Sequence, residues 1–161
     1  MSSIALEALR EAWAGELFGE ALMYALLRRL PDAAVHAGEL RQIAALERSM
    51  AKVLASVPGI AVDQVAARAA AAERADAVAG SLRDWGDFLS TSALGLDAAL
   101  ARFGAIPEPG DRRAGEVKSL LVRHEAALIA FIALAATDCP ADRNTALHAI
   151  GRDLERFLAG A

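Results

Sequence analysis

Glutamates and one histidine stand in this sequence at positions that helical periodicity assigns to buried faces. In IAALERSMAKVL, residues 43–54, the row that carries Ile43, Met50 and Leu54 also carries Glu47. A carboxylate on a buried row needs a partner, because an unpaired buried charge is strongly destabilising. The partner can be a metal ion, a basic side chain or a bound proton. Glu47 is therefore the first candidate for chemistry.

Four other polar residues lie on similar rows: Glu16 and Glu20 on the first predicted core helix, and His124 and Glu125 on the fourth. Together with Glu47 they are the candidate metal ligands, because carboxylate oxygens bind hard cations and imidazole fixes the geometry. Each has a structural alternative. Glu16 and Glu20 can lie at the edge of the helix interface with their carboxylates in water. Glu47 can pair with an arginine or lysine of a neighbouring helix or be protonated, and His124 can be a hydrogen-bonded interface histidine. No residue is assigned a catalytic role, and no cofactor-binding motif is identified.

The composition favours one all-α domain over residues 1–161. The chain is 55% hydrophobic, rich in alanine and leucine, and shows no alternating strand pattern. It has 21 acidic against 17 basic residues, with no basic block that would follow a phosphate backbone, so we expect no nucleic-acid partner. The longest uncharged run, residues 126–137, is shorter than the roughly 20 residues of a membrane span, so no membrane association is expected.

Two further features suggest a cytoplasmic location. Cys139 is the only cysteine, so an internal disulfide and a CxxC motif are both excluded. Glu7, Arg10 and Glu11 interrupt the stretch that an export signal would need to be apolar. The sequence also has no phosphate-binding loop, no GxSxG motif and no HExxH motif.

Proline and glycine divide the chain into helical segments. Core helices are predicted at about 3–30, 33–57, 82–103 and 112–136, with a helical crossover at about 60–80 and a C-terminal helix at about 141–159. The inward row of the first core helix is predicted to hold Leu6, Leu9, Trp13, Glu16, Glu20, Tyr24 and Leu27. The inward row of the third is predicted to hold Trp85, Phe88 or Leu89, Leu96, Leu100 and Phe103. The order of hairpin, long connection and hairpin is the connectivity of a ferritin-like four-helix bundle. A haem-oxygenase-like helical fold is the structural alternative.

Two segments carry a resemblance to a known family. AGELFGEALMYALL at 14–27 followed by LERSMAKVL at 46–54 resembles the first half of a rubrerythrin or other ferritin-like domain, over roughly residues 1–57. RHEAALIAF at 123–131 is a vaguer match to the fourth helix. The resemblance implies Glu16 or Glu20 as the first-helix ligand, Glu47 as the bridging glutamate, Glu125 as its counterpart, and iron or manganese as the metal.

The sequence departs from that family at its histidines. Met50 stands three residues after Glu47, and Leu128 three after Glu125, so neither ExxH motif is complete. The third core helix offers only Asp87 and Asp97, both off its apolar row. We therefore expect a degenerate centre, which can be a single weakly held metal, a carboxylate and histidine network, or a small-ligand pocket in the bundle core.

Three functions fit these observations. The first is a ferritin-like protein with a degenerate carboxylate centre that is not a standard di-iron oxidase. The second is a metal-dependent oxidase or oxygenase with an atypical site on Glu20, Glu47, His124 and Glu125. The third is a structural homodimer, formed through the alanine-rich crossover and the C-terminal helix.

Overall fold

A computed structural model describes residues 2–137 and 143–160, and within these ranges every regular element is an α-helix. The all-α prediction is confirmed. Cys139 and the predicted start of the last helix at 141 lie outside the described residues. The six helices are α1 Ser3–Arg29, α2 Ala37–Ala55, α3 Gln64–Ser81, α4 Trp85–Gly104, α5 Arg112–Ala135 and α6 Thr145–Ala159. None of them is long and apolar enough to cross a membrane.

Four helix starts are fixed by side-chain caps. The residue before each helix accepts a hydrogen bond from a backbone N–H in the first turn, which satisfies a donor that has no partner within the helix. The capping residues are Ser2 for α1, Asp63 for α3, Asp84 for α4 and Asp111 for α5. These short polar residues explain why α3, α4 and α5 begin where they do after irregular linkers.

The second helix begins at Ala37, later than the predicted residue 33. Residues 31–36 form turns instead. Asp32 is not used as a cap for α2, because its carboxylate accepts a hydrogen bond of 3.1 Å from the Trp85 backbone N–H. The His36 ring stacks on Trp85, with 4.2 Å between centroids. The connection between α1 and α2 is thus tied to the start of α4.

The helices pack in two groups that meet at α2. α1 lies against α2 and α3, while α5 lies against α4 and α6, and α2 contacts both α5 and α6. α3 uses its alanines, with Ala71, Ala75 and Ala79 buried. α6 buries Leu147, Ile150 and Leu154, so its apolar row is covered within the chain. The outer side of α3, beside exposed Val62 and Val65, is the part of the predicted homodimer surface that stays uncovered. The homodimer itself stays a prediction.

Two predicted inward rows are wrong in part. Tyr24 is 36% exposed, and its hydroxyl accepts a hydrogen bond of 2.7 Å from Arg48 at the rim of the α1–α2 contact. In α4 only the ends are buried, while Leu96 and Leu100 are partly exposed. The reason is that α4 packs chiefly against α5, so one neighbour alone covers its middle.

The docking of α6 on its own chain gives a stability prediction. Leu154 is fully buried, so Leu154→Ala should lower the free energy of unfolding by about 2–5 kcal/mol, the usual range for a buried leucine. The half-buried Leu158 on the same helix is the matched control, and Leu158→Ala should have a clearly smaller effect. Urea unfolding measures both. A loss for Leu154→Ala that depended on protein concentration would instead place this contact between two chains.

Candidate metal centre

Side chains from three helices converge at one buried point. His124 Nε2 on α5 lies 3.1 Å from Oε2 of Glu16 on α1 and 3.7 Å from Oε1 of Glu47 on α2. One ligand atom from each residue lies within 4.8 Å of the other two. Glu16 is 3% exposed, Glu47 8% and His124 0%. These three predicted residues are therefore brought together, and we call them the centre.

Helical periodicity explains why these residues are buried. Glu16 follows Trp13 by three residues, and His124 follows Leu121 by three, so each shares a face with a buried apolar side chain. Glu47 lies between buried Ile43 and Met50 on one row of α2. The backbone that places the apolar core therefore also places the polar groups within it.

The centre is close packed but is not joined by directed hydrogen bonds. Within residues 2–137 and 143–160, neither ring nitrogen of His124 has a hydrogen-bond partner, and Glu16 Oε2 has none either. The 3.1 Å separation is a close contact in which the ring nitrogen is not aimed at the oxygen. Ligand atoms about 2.0–2.2 Å from a common ion are themselves about 3 to 3.5 Å apart, and their lone pairs point at the ion. The distances of 3.1 and 3.7 Å lie in or near that range.

Burial and mutual charge control protonation in the centre. Burial raises the pKa of Glu16 well above its usual value, with the positive charge of His124 opposing and Glu47 adding to the shift. For His124, burial favours the neutral ring, but the carboxylates of Glu16 and Glu47 outweigh it and raise the His124 pKa. Both shifts favour retention of a proton by the Glu16–His124 pair in the absence of a cation.

Glu125 borders the centre without joining it. It is 6% exposed, and its Oε2 has no hydrogen-bond partner in the described part of the chain. Burial raises the pKa of Glu125 to about 7, while the charges of His124 and Arg102 lower it and that of Glu47 raises it. Glu125 thus changes its protonation near neutrality.

Glu20 has a different role from the one predicted by its row. It is buried, but its Oε1 accepts a hydrogen bond of 2.7 Å from Arg48 and its Oε2 one of 3.3 Å from Arg68. Both oxygens are therefore bound by guanidinium groups, and Glu20 joins α1 to α2 and α3 instead of entering the centre. The arginine partners were not predicted from the sequence, since nothing local to Glu20 indicates them.

No described residue of α4 reaches the centre. On α4, Asp87 pairs with Arg83 at 2.6 Å, and Asp97 is exposed. Met50 is fully buried as an apolar side chain. Gly19 is a further residue that the sequence did not single out, although Glu47 lies directly against it.

Two surface grooves lie away from the centre. One groove follows α5 and is lined by Gly104, Glu108, Gly115, Lys118, Ser119, Val122 and Arg123. A second is lined by Glu116, Ser119, Leu120, Arg123, Asp153, Arg156 and Phe157. Neither includes a residue of the centre, so neither corresponds to the small-ligand pocket predicted in the bundle core.

Comparisons with known proteins give no relative: no family model, no curated protein and no solved structure matches the chain. The resemblance to ferritin-like proteins therefore stays a prediction from the residues quoted in the sequence analysis.

The shifted pKa of Glu125 predicts how the stability of the metal-free protein depends on pH. Its folded pKa of about 7 lies above an unfolded value of about 4.3, so the folded state binds the proton more tightly. This contribution is complete below about pH 4.3 and is lost as pH rises through 7, with an upper limit of about 4 kcal/mol. Glu125→Gln should therefore make the free energy of unfolding fall less steeply between pH 4.5 and 7. Part of the fall should persist in this variant, because the pKa of Glu16 is also raised.

Urea unfolding in the presence of a chelator, repeated across that pH interval, measures the slope. Glu11→Gln, on an exposed part of α1, is the matched control and should keep the wild-type slope. An equally steep fall in Glu125→Gln would show that Glu125 is not the buried titrating group.

Proposed function

We propose that this chain is a ferritin-like helical bundle with a degenerate centre that binds one divalent transition-metal ion on Glu16, Glu47 and His124. On this proposal it is not a di-iron or di-manganese oxidase. The observation that carries the proposal is the convergence of two buried carboxylates on a fully buried imidazole. Its ring nitrogens have no hydrogen-bond partner among the residues that the structure describes. The unprotonated nitrogen of a neutral imidazole in that condition has a lone pair available to bind a metal ion.

The ligand inventory favours one ion over two. A dinuclear site in this class of bundle takes a glutamate from each of two helices and a Glu-x-x-His pair from each of the other two. Here Met50 and Leu128 occupy the histidine positions, and Glu20 is held by two arginines. The three remaining groups fit a single ion with open coordination positions.

Charge balance also supports a divalent cation. Two carboxylates carry two negative charges, which a divalent ion neutralises, and a metal-bound His124 is neutral. Without the ion, the same groups must retain protons to avoid uncompensated buried charge. Two carboxylate oxygens with one imidazole suit manganese, ferrous iron or zinc among the common cations.

The arrangement of helices supports the ferritin-like part of the proposal. The hairpins α1–α2 and α4–α5 are separated by the long connection that contains α3, and α3 packs against α1. The inward acids come from α1, α2 and α5, as the resemblance implies. The absence of a ligand on described α4 is the main departure.

The metal proposal predicts stoichiometry and a ligand set. Protein purified without chelators should bind one Mn²⁺, Fe²⁺ or Zn²⁺ per chain. Glu16→Gln, Glu47→Gln and His124→Gln should each weaken binding at least tenfold, because each removes one ligand. Binding should also release protons and tighten with rising pH, since the ligands must be deprotonated. Elemental analysis and calorimetry in buffers of different ionisation enthalpy measure these quantities.

Glu20→Gln is the matched control, since it alters a buried glutamate one turn along α1 that is already bound by arginine. It should retain the ion. Two ions per chain would contradict the proposal. So would an affinity equal to that of the wild type in each of the three ligand variants.

A second candidate function is a metal-dependent oxidase or oxygenase, and Glu125 favours it. A buried carboxyl group with a pKa of about 7 beside a metal site is suited to general acid–base catalysis at neutral pH. A bound iron or manganese ion would supply redox chemistry toward dioxygen. Glu125 would then hold or transfer a proton, and the apolar core would exclude water.

This candidate function predicts that one substitution can lower the rate of oxygen consumption without changing metal binding. Glu125→Gln should keep the metal content but lower oxygen consumption by the Fe²⁺-loaded protein about 100-fold, the usual effect of losing a general acid or base. An oxygen electrode with ascorbate as reductant measures the rate, and Glu11→Gln is the control. If Glu125→Gln consumes oxygen as fast as the wild type, Glu125 has no acid–base role and the single-ion binding proposal is the one that remains.

A further inference from the structure

Gly19 lies at an unusually close contact between α1 and the centre. A Cβ atom built on Gly19 would lie 2.4 Å from Glu47 Oε2, 2.6 Å from Glu47 Cδ and 3.1 Å from Glu47 Oε1. Contacts shorter than 3.0 Å essentially never occur for a real Cβ. The Glu47 carboxylate thus occupies the space that any other residue at position 19 would need.

A second glycine on the same helix shows that this contact is specific. Gly15 lies one turn earlier on α1, and a Cβ there would meet nothing within 4 Å. Glycine inside a helix is less favourable than alanine by roughly 1 kcal/mol. At Gly15 no contact requires it, whereas at Gly19 the approach of Glu47 does.

A larger residue at position 19 would displace the side chain of Glu47. The crowded atoms are the end of a flexible side chain, so a methyl group would displace the carboxylate instead of separating the helices. To move from 2.4 Å to an ordinary contact of 3.4 Å, Oε2 must shift by about 1 Å. That shift exceeds the roughly 0.5 Å within which a working site holds its ligands.

We propose that Gly19 is a positioning residue for the centre. Its missing side chain lets the Glu47 carboxylate lie against α1, with Oε2 over Gly19 and Oε1 3.7 Å from His124 Nε2. The positioning of Glu47 is a property of the chain itself, and its consequence for cation affinity rests on the proposed function. A Cβ at position 19 would move one of the three ligands without removing any ligand from the sequence.

The first test compares the two glycines. Gly19→Ala should weaken the affinity for Mn²⁺ at least tenfold by calorimetry, while Gly15→Ala, the matched control, should stay within twofold of the wild type. Circular dichroism should show both variants as helical as the wild type. If the wild type binds Mn²⁺, equal affinities in the two variants would overturn the proposal, because a general effect of alanine on helix stability acts at both positions.

The second test is a double-mutant cycle on the metal-free protein, since it does not depend on any bound ion. Glu47→Asp withdraws the carboxylate by one methylene, so it should relieve the crowding caused by Gly19→Ala. The two changes together should therefore be at least fivefold less disruptive, in the unfolding equilibrium constant, than the product of their separate effects. The same cycle with Gly15→Ala should show no such coupling.

The outcomes distinguish the two proposals. Coupling at position 19 in a wild-type protein that binds no cation supports the positioning of Glu47 and overturns the metal proposal. An additive cycle overturns the positioning role whatever the metal affinity. If Gly19→Ala alone fails to fold, recovery of folding when Glu47→Asp is added supports the role, and failure of the double variant overturns it.

Discussion

The constraint on which this structure depends is the burial of two carboxylates and an imidazole where α1, α2 and α5 meet. Charged groups in an apolar interior are stable only when they are paired, protonated or bound to a cation. Glu16 and Glu47 are only 3% and 8% exposed, and His124 is wholly enclosed. The protonation of the centre, the close approach at Gly19 and the proposed affinity for a cation all follow from that single constraint.

The buried acids differ in their chemistry because of their neighbours. Glu16 and Glu20 are both buried on α1, one helical turn apart, yet Glu20 is paired with Arg48 and Arg68 while Glu16 faces His124. Arg48 follows Glu47 directly, and adjacent residues on a helix point about 100° apart. Arg48 can therefore reach the rim and Glu20 while Glu47 faces the interior. Burial alone does not distinguish a structural ion pair from a centre with free ligand capacity.

The all-α class and the buried side of most helices could be predicted from the sequence because both depend on local periodicity. Which of Glu16 and Glu20 enters the centre could not be predicted, since Arg68 of α3, which binds Glu20, is distant along the chain. The late start of α2 has a similar cause, because Asp32 bonds to Trp85 of α4 instead of capping the nearer helix. Likewise, the row of α4 identifies an apolar face but does not tell how many neighbours cover it.

The separation of His124 from Glu125 follows from their adjacency on α5. A Glu-x-x-His pair places both side chains on one face of a helix, so both can reach the same ion. Adjacent residues point in different directions, which allows only His124 to enter the contact with Glu16 and Glu47. Glu125 is left at the border, buried and without a hydrogen bond at Oε2. The same two residue types thus give one residue inside the contact and one neighbouring acid, where a Glu-x-x-His spacing would place both on one face. On the proposed function, this difference favours a single ion over two.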